Sequence, residues 1–283
     1  MTNMKSVLAS TIGISVVSSA IAVGVSSYMA MGYTDMAVSK AVSEQLPQAV
    51  AKTLQDREDQ AVSAAKAKIL SNWKAAADKS IKGRHIYGSL DAEFTLVEFS
   101  DLECPFCKRF HDTPKQLVDQ SQGRINWEWQ HYPLQFHNPT ADVAAHASEC
   151  VGEVAGNQSF WAFTGEWFSR SQLNGQGVED IERLAREVGA PLDAYKTCME
   201  SGKYKELIQA QTEKGSIMGV TGTPATVVVD NVSGNTLLVK GAQSPKVIIE
   251  TMTQLISLRE KAPSQEAQPA QAEPAADPVM KNG

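Results

Sequence analysis

Basic patches are missing from this chain. Its 283 residues carry 26 Lys and Arg against 32 Asp and Glu, a net charge of −6. No stripe of cations interrupts that balance. Proteins that hold a phosphate backbone do so chiefly through clustered Lys and Arg, so nucleic acid is not an expected partner. Cysteine is scarce. The four fall into one tight pair, Cys104 and Cys107, and one distant pair, Cys150 and Cys198. No internal repeat is present, which argues against a repeat architecture. Five histidines, His85, His111, His131, His137 and His146, are spread without a spacing that demands a metal. A Cys-x-x-Cys can be half a zinc site, but the second ligand pair such a site needs is lacking. Neither a metal nor a cofactor is expected. What remains is an ordinary globular composition, with enough chain for a sizeable core in one or two domains.

Charge is also absent from Ser6 to Thr34, between Lys5 and Asp35. A positive flank followed by an apolar segment reads as an export signal. Two outcomes stay open for residues 1–34. Ala20-Ile21-Ala22 resembles a small-residue cleavage site after a short apolar core. Alternatively the run spans a bilayer as an uncleaved anchor, and Lys5 on the inner side then places the rest outside the cytoplasm. Either way the expected compartment is the periplasm, soluble or tethered to the inner membrane.

Residues 35–80 have no glycine and a single proline, Pro47. Val42, Leu46, Val50 and Leu54 recur every four residues, and Ala61, Ala65, Ile69 and Trp73 continue the face. This spacing predicts an amphipathic helix, kinked or restarted at Pro47. Its narrow stripe suits a homo-oligomerisation stalk, or a spacer helix that packs on its own domain. Ala262 to Gly283 is rich in Pro, Ala, Gln and Glu and reads as a disordered tail.

Between these ends the pattern predicts a short entry strand in 81–90, a buried strand over 94–100 and a helix over 105–121. A strand over 124–131 and a helical block over 139–219 follow. A strand entered through Pro224, its hairpin partner over 236–240 and a terminal helix over 244–259 complete the order. The stretch that organises this plan is Glu98-Phe99-Ser100-Asp101-Leu102-Glu103-Cys104-Pro105-Phe106-Cys107-Lys108. Strand followed at once by Cys-x-x-Cys and helix places Cys104 at a helix N-terminus. There, free backbone N–H groups and the helix dipole favour an anion, and the thiolate is the reactive form of cysteine. Cys107 lies one turn on, close enough to close a disulfide. Lys108 favours the thiolate, while Asp101 and Glu103 oppose it. No histidine stands between the cysteines, so a moderate depression of the Cys104 pKa is expected.

Leu96 to His111 resembles the active-site segment of the DsbA-like thiol–disulfide oxidoreductases. So do His131-Tyr132-Pro133-Leu134, Ala147-Ser148-Glu149-Cys150, Phe160-Trp161 and Gly222-Thr223-Pro224. The resemblance covers about residues 81–260 and implies an α/β, thioredoxin-like fold with an inserted helical subdomain over about 139–219. The domain itself would span 81–261, preceded by the stalk and the signal or membrane segment. It implies catalysis by Cys104 as nucleophile and Cys107 as resolving thiol. Glu98 becomes the buried acid that moves the second cysteine's proton, although strand alternation alone points it to either face. Thr223 and Pro224 form a cis-proline loop that meets substrate, and Phe106 is a further substrate contact. Cys150 and Cys198, both on helices of the insertion, form a structural disulfide. The implied partners are cysteine-containing exported proteins and a membrane redox partner that resets the site. The stalk and Thr223 lean toward an isomerase or reductase. A monomeric dithiol oxidase is the alternative, and a tethered chaperone or a copper-binding protein is a rival of another class. The aromatic cluster Phe160, Trp161, Phe163, Trp167 and Phe168 reads as core of the insertion, or in part as the lining of a substrate groove.

Overall fold

In a computed structural model, residues 35–76 and 83–261 are described. The signal or anchor reading over 1–34 and the tail over 262–283 lie outside them. Among the described residues no helix is long and apolar enough to cross a membrane. The chain divides into two compact units, residues 1–64 and 65–283.

Helix α1 runs Asp35–Ser71 with Pro47 inside it. In the first unit Val42, Leu46, Val50 and Leu54 are all about half exposed or more, at 49–61%. The predicted continuation of this stripe has a different fate. Ile69 and Trp73 are buried in the core of the second unit. The helix also stops at Ser71, short of the predicted Ser80, and a hydrogen-bonded turn from Asn72 to Ala76 follows.

The second unit is built on a five-stranded mixed sheet in the order β1-β3-β2-β4-β5. The strands are β1 (His85–Gly88), β2 (Phe94–Ser100), β3 (Ile125–His131), β4 (Ala225–Asp230) and β5 (Thr236–Lys240). Only β2 and β3 pair in parallel. A parallel pair needs a crossover, and helices α2 (Pro105–Phe110) and α3 (Asp112–Gln120) supply it. The predicted single helix over 105–121 is therefore two, broken at His111. Pro114 explains the break, because it has no N–H to offer the carbonyl four residues back.

Between β3 and β4 lie a short 3₁₀ turn, Gln135–His137, and five helices. These are α4 (Thr140–Ala155), α5 (Asn157–Arg170), α6 (Ile181–Glu187), α7 (Leu192–Ser201) and α8 (Lys205–Ile217). Asp180 caps α6 by accepting from the Arg183 N–H at 2.8 Å. Gly202 ends α7 in the left-handed region, φ +62°, where a side chain would be strained. Helix α9 (Pro245–Lys261) closes the chain against the β4–β5 hairpin.

Strand β2 is buried along its whole length, as its apolar run requires in the middle of a covered sheet. Its faces serve different cores. Phe94 and Leu96 join Phe110, Trp127, Trp129 and the insertion aromatics. Val97 and Phe99 join Val220, Ala225 and Val227. Phe160, Trp161, Phe163, Trp167 and Phe168 are at most 3% exposed. They are core, and none of them lines a groove open to substrate.

Candidate active site

The loop from Asp101 to Cys104 delivers the first cysteine to the N-cap of α2, with Pro105 at the first helical position. The Cys104 N–H donates to the Asp101 carbonyl at 3.0 Å, and Lys108 N–H to the Cys104 carbonyl at 3.1 Å. These bonds hold the sulfur over the open end of the helix. Opposite it stands Thr223, joined to Pro224 by a cis peptide bond. The Cys104 thiol donates to the Thr223 carbonyl at 3.6 Å. Strand pairing fixes this meeting, since Phe99 at the end of β2 is opposite Ala225 at the start of β4.

Cys104 and Cys107 are free thiols, both buried. Their environments drive them apart. A hydrogen bond from Cys107 is the largest influence on Cys104. Burial works against it, and the Thr223 side chain and the N–H groups of Cys107 and Phe106 add to it. The Cys104 thiol is pulled down to about 6. Cys107 is fully buried, and burial first, then the Cys104 and Glu98 charges, push its pKa well up. One thiol is thus primed to ionise, donating to the Thr223 carbonyl only while it keeps its proton, and the other stays protonated as a hydrogen-bond donor to it.

Glu98 is wholly buried, and neither carboxyl oxygen has a hydrogen-bond partner. Burial pushes it up to about 8, and the nearby Ser100 and Trp127 groups resist only in part. The alternation of β2 puts Glu98 on the same face as Leu96 and Ser100, toward α2 and the thiols. Ser100 acts on both Glu98 and Cys107, lowering each. Its hydroxyl is buried and has no partner of its own. Sequence reasoning passed over Ser100, and the i, i+2 period from Glu98 was the signal that could have found it.

Asp101 and Glu103 do not stand beside the thiol as opposing charges. Asp101 accepts from the Glu103 N–H at 2.8 Å, the Leu134 N–H at 3.0 Å and His137 Nδ1 at 2.6 Å. Glu103 accepts from Trp167 Nε1 and Ser171 Oγ at 2.8 Å each, and from the N–H groups of Gly175 and Gly177 at 2.9 and 3.1 Å. Each carboxylate is saturated and pins a separate segment to the active-site turn, Asp101 the loop 134–137 and Glu103 the stretch 167–177 of the insertion. Phe106 is 55% exposed beside the thiols, with the Arg109 guanidinium 4.6 Å from its ring centre.

The histidines are less ordinary than their spacing suggests. His111 is buried among Trp73, Trp127, Trp129 and Phe168, and burial pushes it down to about 3. His85 and His131 both meet the buried Glu149 carboxylate, at 3.0 and 3.1 Å. Burial alone would raise Glu149, but these two rings hold it down at about 2. Cys150 on α4 and Cys198 on α7 are joined by a disulfide 48 residues apart in sequence.

A family model described as "Thioredoxin" matches residues 80–244. Disulfide bond formation protein D of Bacillus subtilis is 28% identical over 173 residues, 58% of this chain and 76% of that protein. The Na(+)/H(+) antiporter NhaA 1 of Mycolicibacterium gilvum is 30% identical over 146 residues, 51% of this chain. The chain spans only 23% of that relative's length. Among solved structures, DsbA2 of Pseudomonas aeruginosa superposes with a TM-score of 0.51 at 28% identity, over 62% of this chain and 97% of that one. BdbD from Bacillus subtilis shares the fold, with a TM-score of 0.51 at 23% identity over 65% of this chain and 98% of that one.

Proposed function

Since the chain belongs to the thioredoxin family and is DsbA-like within it, we propose that it is an exported protein thiol–disulfide oxidoreductase working through Cys104 and Cys107. One observation carries this reading. A thiol lowered to about 6 sits at a helix N-terminus, 3.6 Å from the Thr223 carbonyl, with its partner thiol kept protonated beside it.

The exchange follows from that asymmetry. The Cys104 thiolate attacks one sulfur of a client disulfide, and the other client sulfur leaves as a thiolate and takes up a proton. A mixed disulfide now joins Cys104 to the client. The ionised fraction of Glu98, whose pKa burial raises to about 8, accepts the Cys107 proton, with the Ser100 hydroxyl bordering both groups. The Cys107 thiolate attacks Cys104 Sγ, and the client leaves reduced. Run backward, the same steps oxidise a client dithiol. The Thr223 backbone, beside a proline that donates nothing, suits an extended client strand, and the exposed Phe106 ring offers it apolar contact.

The clients are cysteine-containing exported proteins, and a membrane redox partner resets the pair. The half-exposed stripe of Val42, Leu46, Val50 and Leu54 supports self-association through residues 35–80. Several sites on one assembly favour isomerisation or reduction over net oxidation. The test is reduction of insulin disulfides by the chain and by Cys104→Ala. Loss of turnover in the variant is expected. Equal turnover in both would remove Cys104 from the chemistry.

A further inference from the structure

Cys150, Cys198 and His146 form a second cluster, away from the exchange pair. His146 and Cys150 are four residues apart on α4 and so share a face, and Cys198 reaches them from α7. The two sulfurs and a ring nitrogen of His146 all lie within 4.8 Å of one another. All three residues are buried. His146 Nε2 lies 3.3 Å from the Cys198 carbonyl, which can only accept, so Nε2 carries the proton. Nδ1 keeps its lone pair, buried and without a partner. A neutral imidazole whose second nitrogen donates to a backbone carbonyl is the state a metal-bound histidine adopts. A groove of about 520 Å³ is lined by His146 and by Met199, the neighbour of Cys198 in sequence.

We propose that the Cys150–Cys198 disulfide is the closed form of a metal site. When reduced, the two sulfurs and His146 bind one soft d¹⁰ cation, zinc(II) in the first instance. Opening the site requires an external dithiol. Two electrons and two protons pass to Cys150 and Cys198, and the dithiol closes its own disulfide. The cation then displaces both thiol protons, forming two metal–sulfur bonds and one metal–nitrogen bond. The backbone positions fit this exchange. The Cα atoms are 5.7 Å apart, close enough for two cysteine sulfurs to share one zinc ion at metal–sulfur distances of about 2.3 Å. Glu153 Oε2 lies 3.7 Å from Cys198 Sγ, but it is already engaged by Tyr204 and Lys203. The fourth position is therefore left to solvent from the groove. The disulfide blocks the site in an oxidising compartment, and a reducing one exposes it.

The experiment uses the full chain carrying Cys104→Ser and Cys107→Ser, so that the exchange pair contributes nothing. Zinc binding is titrated against a chromogenic chelator before and after reduction. Cobalt(II) reports thiolate ligation by its charge-transfer absorption, and near-ultraviolet circular dichroism reports the fold in the same samples. The expected result is one zinc per reduced chain and none per oxidised chain, with affinity about tenfold or more weaker in His146→Gln. Uptake undiminished in His146→Gln, or equal in the oxidised chain, overturns the proposal. So does a reduced chain that takes up no zinc, or one that loses its native dichroism and does not regain it with zinc. None of these outcomes bears on exchange at Cys104.

Discussion

The Sγ of Cys104 lies 3.6 Å from the carbonyl oxygen of Thr223, 119 residues away in sequence. That one residue meets the sulfur twice. Its carbonyl accepts from the thiol, and its side chain helps to lower the thiol pKa. The Thr223 hydroxyl is otherwise buried without a partner.

Thr223→Val should therefore raise the Cys104 pKa from about 6. A hydrogen bond to a charged group is worth about 1.5–3 kcal/mol, so the rise should be about one to two units at most. Thiolate absorbance followed against pH measures it. An unchanged midpoint would remove the hydroxyl from the site's electrostatics.

Alkylation of Cys104 should follow the same titration. Its rate should climb as pH rises through about 6 and level off above it, because the thiolate is the nucleophile. Cys107 should stay unmodified across this range, since burial keeps its proton on. Mass spectrometry of the labelled sites distinguishes the two.

Cys107→Ser should trap mixed disulfides between Cys104 and clients, because the resolving attack is gone. Non-reducing electrophoresis of extracts from the native compartment would display them. An absence of adducts there, with Cys104 still reactive, would contradict the exchange role.

Glu98 makes stability depend on pH. Its folded pKa of about 8 stands above the ordinary 4.5, so the folded state binds the extra proton. Stability from this group is fully present below about 4.5 and is lost as pH rises through about 8, at about 1.4 kcal/mol per unit. Glu98→Gln removes that loss, so it should be more stable than the parent at pH 8 and little changed at pH 5. Its resolution step should slow on the order of 100-fold, the scale of general-base assistance. Urea unfolding at the two pH values and stopped-flow release of client test both halves.

Glu103→Ala leaves the donors of Trp167, Ser171, Gly175 and Gly177 without their acceptor. Each buried orphan costs about 1–3 kcal/mol, so a total above about 3 kcal/mol is expected even after partial rearrangement. Thermal unfolding reads it. Opening the Cys150–Cys198 bond, whose ends are 48 positions apart in sequence, should cost about 4 kcal/mol by chain entropy.

Much of the fold is legible because its signals are local. The apolar run of β2, the helix-period runs of the insertion and the position of Pro224 all report on near neighbours. The Cys-x-x-Cys after a strand likewise tells its chemistry within a dozen residues. Other features were closed to the linear reading. Strand alternation left Glu98 with two faces, and only the packing of α2 on one of them chose. Asp101 and Glu103 looked like charges next to a thiol, but Leu134, His137, Trp167 and Gly175 reach them from 33 to 72 residues away. The periodic stripe of α1 could not say where solvent ends and core begins. Ile69 and Trp73 are buried while Leu54 is exposed, although all continue one period.

The sequence by itself determined the order of elements, the candidate exchange pair and the place of that pair at a helix start. These depend on periodicity, proline and adjacency, which are properties of short stretches. Only the tertiary structure decided that Glu98 faces the thiols unpaired, that Ser100 borders both, and that two neighbouring acids are spent on holding loops. It also brought His146 against the Cys150–Cys198 bond. Burial and long-range hydrogen bonding set these outcomes, and neither is written in any local window of the chain.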